Sequence, residues 1–412
     1  MNSTETLVDP ATSGQTPTAI DEAAGGHPRR WWVLAVLCLS LFLVVVDNTI
    51  VNVALPTLSA DLNASTTELQ WIVDAYTLVF ASLLLAFGHF GDRFGRRGAL
   101  ALGLILFGAT SALAAFATSA GGLIGVRALM GVGAALVFPA TLAILMNVFT
   151  DKKQRAAAIG IWSGATGMAV AAGPVAGGFL LEHFWWGSVF LVNVPIVVVA
   201  VVAVMFVVPT SKDPDSGRMD WFGLVLSVAS IGLLVWSIIE GPRLGWTSAA
   251  IVAGGLSALA LLALFIWWER RVSHPLLDVG LFSNARFSAA SVTIATAFFG
   301  LFGFIFMITQ YMQLVLGYSP LEAGVRTVPF AVATGICSPL SIALMHRFGS
   351  KLVVFGGLAL MSIGFVMAST LSVDSSYLSN VLPSMVVMAC GLGLTTSPAT
   401  EAIMGALPVD KA

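Results

Sequence analysis

From Trp31 onward the chain is a succession of long apolar runs broken by short polar loops, with no sustained alternation of period two. Twelve runs can be marked, near 31–55, 69–88, 98–117, 121–146, 156–180, 187–208, 221–240, 247–268, 287–309, 324–345, 352–371 and 380–405. Each reaches the roughly 20 residues that carry a helix across about 30 Å of hydrocarbon. The pattern predicts an all-α membrane protein, since a β-barrel would show short segments of alternating polarity instead. Between spans 2 and 3 the stretch Gly88-His-Phe-Gly-Asp-Arg-Phe-Gly-Arg-Arg-Gly98 packs four charges and four glycines into one short connection. A loop so short and basic predicts a tight hairpin on the cytoplasmic side, where Lys and Arg accumulate.

Charge placement tests this topology. With the first residues cytoplasmic, sixteen of the nineteen Lys and Arg fall on the inner side, leaving only Arg127, Arg243 and Arg326 outside or within spans. A wrong span count would scramble that segregation. Composition agrees: 58% of residues are hydrophobic and 10% charged, with a mean hydropathy of +0.94, where soluble domains carry roughly a quarter charged residues. The net charge of -2 gives no reason to expect a nucleic-acid partner. Cys38, Cys337 and Cys390 all lie in apolar runs without metal-ligand spacing and read as small core residues. Residues 1–30 read as a disordered cytoplasmic tail, not a signal peptide, because the run after Arg29 and Arg30 is too long for a cleaved segment.

The chain repeats itself. Arg93-Phe-Gly-Arg-Arg97 returns as Arg347-Phe-Gly-Ser-Lys351, an offset of 254 (347 minus 93). Pro139-Ala-Thr141 and Asp151-Lys152 return as Pro398-Ala-Thr400 and Asp410-Lys411, an offset of 259 (398 minus 139). Span 12 is thereby the counterpart of span 4. The expected organisation is a six-helix half over 31–208, a linker with an inserted helix pair over 209–286, and a second half over 287–412 holding four of six helices. On this reading fourteen spans are expected, two of them beyond Ala412, and the chain looks truncated.

Internal halves of this kind are how secondary transporters are built, with the substrate held between them. Ionisable groups within spans are costly and commonly functional. Asp47 lies about 8 residues from the outer end of span 1, Asp74 about 5 from that of span 2 and Arg127 about 6 from that of span 4, placing all three roughly 8–12 Å deep at about 1.5 Å per residue. A change in the distance between such a carboxylate and guanidinium would load and release a proton, while a fixed pair would only position helices; both readings stand. For Asp74 a solvated interfacial carboxylate stands equally. Asn48 and Asn52 extend the polar face of span 1, either toward substrate or toward another helix. Span 9 presents Phe302, Phe306, Gln310 and Gln313 in an aromatic and Met-rich surface, which suits varied apolar ligands or, residue by residue, lipid. In the signature stretch, Asp92 can accept from an arginine or a helix N-terminus, and Arg93, Arg96 and Arg97 can face anionic headgroups. Gly88, Gly91 and Gly95 sit at tight-turn and close-contact spacing, which favours a gating latch over a mere topology signal. Glu322 and Arg326, four apart, predict a surface pair.

The motifs point to a family. Gly88-x-x-Gly-Asp-Arg-x-Gly-Arg-Arg resembles the signature loop of the major facilitator superfamily. Asp47-x-Thr-Ile-Val-Asn-Val-Ala-Leu-Pro56, Arg127 with Gly131 and Gly133, and Gly173-Pro174-x-x-Gly177-Gly178 resemble its drug:proton antiporters, as do Phe190-Leu-Val-Asn-Val-Pro195 and Gln313-Leu-Val-Leu-Gly-Tyr-Ser-Pro-Leu-Glu-Ala-Gly324. The span 1 motif and the extra helix pair look most like the 14-helix branch of EmrB/QacA-like exporters; Ala169 departs from the glycine that usually opens the span 5 motif. The resemblance implies a proton-coupled exporter of lipophilic small molecules in the bacterial inner membrane, working by alternating access, with Asp47, Arg127 and Asp74 in coupling. It also implies that span 5 bends at Pro174 and seals one side; ordinary small-residue packing is the alternative. No Gly-x-x-x-x-Gly-Lys-Ser/Thr loop is present, so the proton gradient and not ATP is the expected energy source, with no cofactor and no enzymatic activity. Two rivals remain, a dedicated exporter of one self-made metabolite and a non-transporting membrane fragment or sensor.

Overall fold

The computed structural model describes residues 27–212, 220–273 and 275–404. The expectations placed on residues 1–26, Arg218, Asp410 and Lys411 lie outside the described residues. Among the described residues, twelve helices are long and apolar enough to cross a membrane: α1 (Arg30–Leu62), α2 (Thr66–Phe94), α3 (Arg96–Ala115), α4 (Ala120–Val148), α5 (Lys152–His183), α6 (Ser188–Val207), α7 (Trp221–Leu244), α8 (Ala249–Glu269), α9 (Ala285–Val315), α10 (Pro320–Phe348), α11 (Ser350–Ser369) and α12 (Tyr377–Ile403). Several outrun the hydropathic spans by a turn or two, because hydropathy marks the hydrocarbon crossing whereas capping marks the helix end. Ser65 with Glu68 and Ser319 with Glu322 form capping boxes that start α2 and α10. Asp151, Asp220, Ser248 and Asn284 cap the first turns of α5, α7, α8 and α9.

Buried apolar side chains form two clusters. One runs from Val33 to Val208 through α1–α6, and the other from Ala297 to Leu392 through α9–α12. The internal repeat extends into the packing. A Cβ on Gly103 of α3 would stand 2.8 Å from the Gly133 carbonyl of α4, and one on Gly357 of α11 would stand 2.8 Å from the Gly391 carbonyl of α12. Gly103 and Gly357 are themselves 254 apart, the offset of the repeated turn. The same glycine-on-glycine crossing thus joins the third and fourth helices of each bundle. Helices α7 and α8 pack on each other, and α7 reaches α2 through a 3.1 Å bond from Trp71 Nε1 to Glu240 Oε1.

The bundles touch where α5 meets α10 and α1 meets α9. A Cβ on Gly178 would stand 2.5 Å from Leu321 Cα, and one on Gly324 would collide with the Pro174 carbonyl, so only glycine permits this approach. Gly173 and Gly177 are pressed in the same way against Thr49 and Ile50 of α1. Toward the opposite, basic ends of the two helices, Gly160, Gly164 and Gly167 of α5 and Gly335 of α10 have open space where a Cβ would be. The seam is therefore tight near His183 and Ser319 and parts toward Asp151 and Phe348.

Candidate functional site

The signature stretch corrects the expected hairpin. Residues 88–94 continue α2 as helix, and the connection narrows to Gly95 alone, at φ +117°, with Arg96 opening α3. Gly349, at φ +81°, does the same between α10 and α11. Gly88 and Gly91 are not turn residues. They face Pro139 of α4 and Ala99 of α3, where a Cβ would make ordinary contact at 3.5 Å in each case. The arginines are also less free than expected. Arg96 donates to Asp92 at 2.7 Å and to the Ala143 carbonyl of α4 at 3.4 Å, Arg97 reaches the Val208 carbonyl beyond α6, and Arg93 lies over the Phe94 ring. The stretch ties the ends of α2, α3, α4 and α6 together.

Asp47 of α1 and Arg127 of α4 meet inside the first bundle, both side chains at 0% exposure. Arg127 Nη1 donates to Asp47 Oδ2 at 2.5 Å, and Asn193 Nδ2 of α6 donates to Oδ1 at 2.9 Å. Asn193 also reaches Ser111 Oγ of α3 at 3.0 Å, and that hydroxyl donates to the Phe190 carbonyl at 2.8 Å. Arg127 Nε donates to the Ile72 carbonyl of α2 at 3.0 Å, its guanidinium carbon lies 4.3 Å from the Tyr76 ring centre, and Tyr76 Oη donates to the Val44 carbonyl at 3.0 Å. Arg127 Nη2 is buried with no partner among the described residues. Five helices therefore converge on one carboxylate and one guanidinium in the buried interior, where the cost of desolvating the pair is met by most, but not all, of its hydrogen-bonding capacity. Sequence reasoning assigned Tyr76 and Ser111 no part in the site and placed Asn193 only within the Phe190–Pro195 motif, without a role. Asn193 carried a visible signal, being the one amide in an otherwise apolar span 6.

The other candidates are dispersed. Asp74 is half-buried on α2, is not joined to the pair, and makes no hydrogen bond or ion pair among the described residues. Asn52 bonds the Asn48 carbonyl of its own helix, and neither amide touches Asp47. Gln313 donates to the Val53 carbonyl of α1 at 2.9 Å, and Phe306 packs against the first bundle's core, so both stand at the seam. Gln310 bonds within α9, and Phe302 is exposed. A narrow cavity of about 30 Å³ at the seam is lined by Thr49 of α1, Pro174 of α5, Phe304, Ile308 and Thr309 of α9 and Phe330 of α10. The α9 face that enters it, with Phe304, Ile308 and Thr309, is thus not the expected one of Phe302, Phe306, Gln310 and Gln313. Glu322 and Arg326 pair at 3.6 Å, and Arg326 lies over the Tyr318 ring.

Two helical bundles meeting over a parted seam, with a closed charge pair in the span interior, define a multi-pass membrane transporter. The chain belongs to the Major Facilitator Superfamily, whose sequence pattern matches residues 37–239 and 214–412; its members are transporters, not enzymes. It is 40% identical over 383 residues to the multidrug efflux pump LfrA of Mycolicibacterium smegmatis, covering 93% of this chain and 76% of that protein. It is 38% identical over 389 residues to the methyl viologen resistance protein SmvA of Salmonella typhimurium, covering 93% and 77%. Its fold matches a solved bacterial homologue of the human lysosomal transporter Spinster (TM-score 0.62, 18% identity, 92% of this chain and 76% of that one). It also matches a peptide transporter, POT (TM-score 0.63, 14% identity, 90% and 87%).

Proposed function

We propose that the chain exports lipophilic small molecules, organic cations among them, by proton-coupled antiport across the bacterial inner membrane. The observation that carries this reading is the Asp47–Arg127 pair, a titratable carboxylate held at 0% exposure on the helix that also lines the seam. Proton uptake by Asp47 weakens its attraction to Arg127, and proton release restores it, so the charge state and the packing of α1 change together. The names of the relatives, a multidrug efflux pump and a methyl viologen resistance protein, support the substrate class. The apolar and aromatic lining of the seam supports it independently. The basic ends of the helices face the cytoplasm on this reading, so the parted seam opens inward, with the N-terminus on the same side. Arg93, Arg96 and Arg97 with Gly88, Gly91, Asp92 and Gly95 act as the latch at that mouth, and Gly173, Pro174, Gly177 and Gly178 close the outer end. Helices α7 and α8 are an inserted pair, and α9–α12 correspond to α1–α4, the arrangement of the 14-helix branch. Asp74 is a second, subordinate proton site.

The test is efflux of methyl viologen or a fluorescent lipophilic cation in everted vesicles carrying the chain. An imposed pH gradient should drive accumulation that an uncoupler abolishes. Accumulation that needs ATP and ignores the gradient would overturn the proposal.

A further inference from the structure

Away from the seam, a cavity of about 490 Å³ lies on the basic side, between the α2–α3 turn and the chain leaving α6. Arg97 and Lys212 place two positive charges on its wall, and among the described residues no carboxylate lines it. Among the described residues Arg97 is held there by the 3.4 Å contact to Val208 alone, and Lys212 is exposed and in no ion pair. Helix α3 begins at the same place. No side chain caps it; Arg96 N already donates to the Ser211 carbonyl, which leaves the N–H groups of Arg97 and Gly98 to an acceptor outside the helix. Beside them are the hydroxyls of Thr210 and Ser211, and Ser211 Oγ is buried with no hydrogen-bond partner among the described residues. Cations, helix amides and hydroxyls converging on one space make a phosphate-binding site. The rest of its wall is apolar: Phe94 and Met205, 66% and 52% exposed, stand at the ends of the apolar helices α2 and α6.

We propose that this cavity holds the headgroup of an anionic phospholipid, the phosphate between Arg97 and Lys212 and the acyl chains along Phe94 and Met205. A soluble phosphate compound would satisfy the charges but leave the apolar wall uncovered, which is why the lipid is the assigned source. The bound headgroup would reinforce the 2.9 Å bond from Arg96 N to the Ser211 carbonyl, which already ties the α2–α3 turn to the chain after α6.

The full chain, purified in neutral detergent, is to be titrated separately with phosphatidylglycerol, phosphatidylcholine and glycerol 3-phosphate and read by native mass spectrometry. Phosphatidylglycerol should remain bound where phosphatidylcholine does not. Lys212→Gln should weaken it about fivefold and Arg97→Gln/Lys212→Gln about thirtyfold, from roughly 1 kcal/mol for each basic residue beside anionic lipid. Because Lys212 is exposed, its variant reads binding without disturbing the fold. Equal retention of the two lipids, or unchanged phosphatidylglycerol affinity in Lys212→Gln, would overturn the site. Glycerol 3-phosphate binding as tightly as the lipid would overturn the lipid assignment.

Discussion

Removing Asp47 and Arg127 singly and together separates what the pair does for stability from what it does for transport. In Asp47→Leu the guanidinium keeps the Ile72 carbonyl and the Tyr76 ring but has no counter-charge at 0% exposure. Stranding a buried charge in this way costs about 3–5 kcal/mol, and Arg127→Met should cost the same by stranding the carboxylate. The double variant removes both charges and fills their space with apolar atoms. Exchanges of that kind are commonly neutral or stabilising by about 1–4 kcal/mol. Asn193 then loses one acceptor but keeps Ser111 Oγ, a loss of about 1 kcal/mol. The double variant should therefore unfold within about 2 kcal/mol of the wild type, far from the sum of the single losses. The assay pairs unfolding in detergent with gradient-driven efflux in vesicles. The expected pattern is unstable and inactive single variants beside a stable, inactive double variant. A stable double variant that pumps normally would reduce the pair to a fastening between helices and refute coupling. Single variants within about 1 kcal/mol of wild type would refute the view that each charge depends on the other.

Three further outcomes follow from the glycines and the charge topology. Gly95→Ala places a Cβ at φ +117° and should cost about 1–2 kcal/mol, whereas Gly88→Ala, with ordinary 3.5 Å contact to Pro139, should be nearly neutral in the same unfolding measurement. Gly324→Leu should abolish efflux in vesicles by forcing α10 off α5, while Gly335→Leu, which meets open space, should pump as wild type does; equal activity of the two would show that the crossing is dispensable. With Cys38, Cys337 and Cys390 replaced by Ala, a cysteine at Asp374 should react with an impermeant thiol reagent in intact cells and one at Lys351 should not. The reverse labelling would invert the topology.

Span number and the repeat were legible because both rest on strong local signals, continuous apolar length and recurrent turn chemistry. The Gly88–Gly98 stretch was misread as a loop because its charges lower the hydropathy, although Phe87, Phe90 and Phe94 keep a helical spacing. Asp47 and Arg127 could be matched by depth along their helices. Depth says nothing of azimuth, and so Asp74, at a similar depth, was grouped with a pair it does not join. Phe302 and Phe304 illustrate the same limit, since residues two apart on a helix face about 200° from each other and a hydrophobic helix gives no polar stripe from which to read its rotation. Asn193 and Tyr76 were missed because a contact across five helices has no periodicity within any one of them.

Helix α1 serves two neighbourhoods that never touch. Asp47 looks into the first bundle, while Thr49 lines the seam and Val53 accepts from Gln313 across it. Residues two apart on a helix point about 200° from each other, and Asp47 to Val53 spans only about 9 Å of axis. A stiff rod gripped on opposite sides over so short a length behaves as a spindle: any turn that relieves one side must load the other. On the proposed proton-coupled reading, proton and cargo would need no shared chamber, because each would act on the torsion of the same helix.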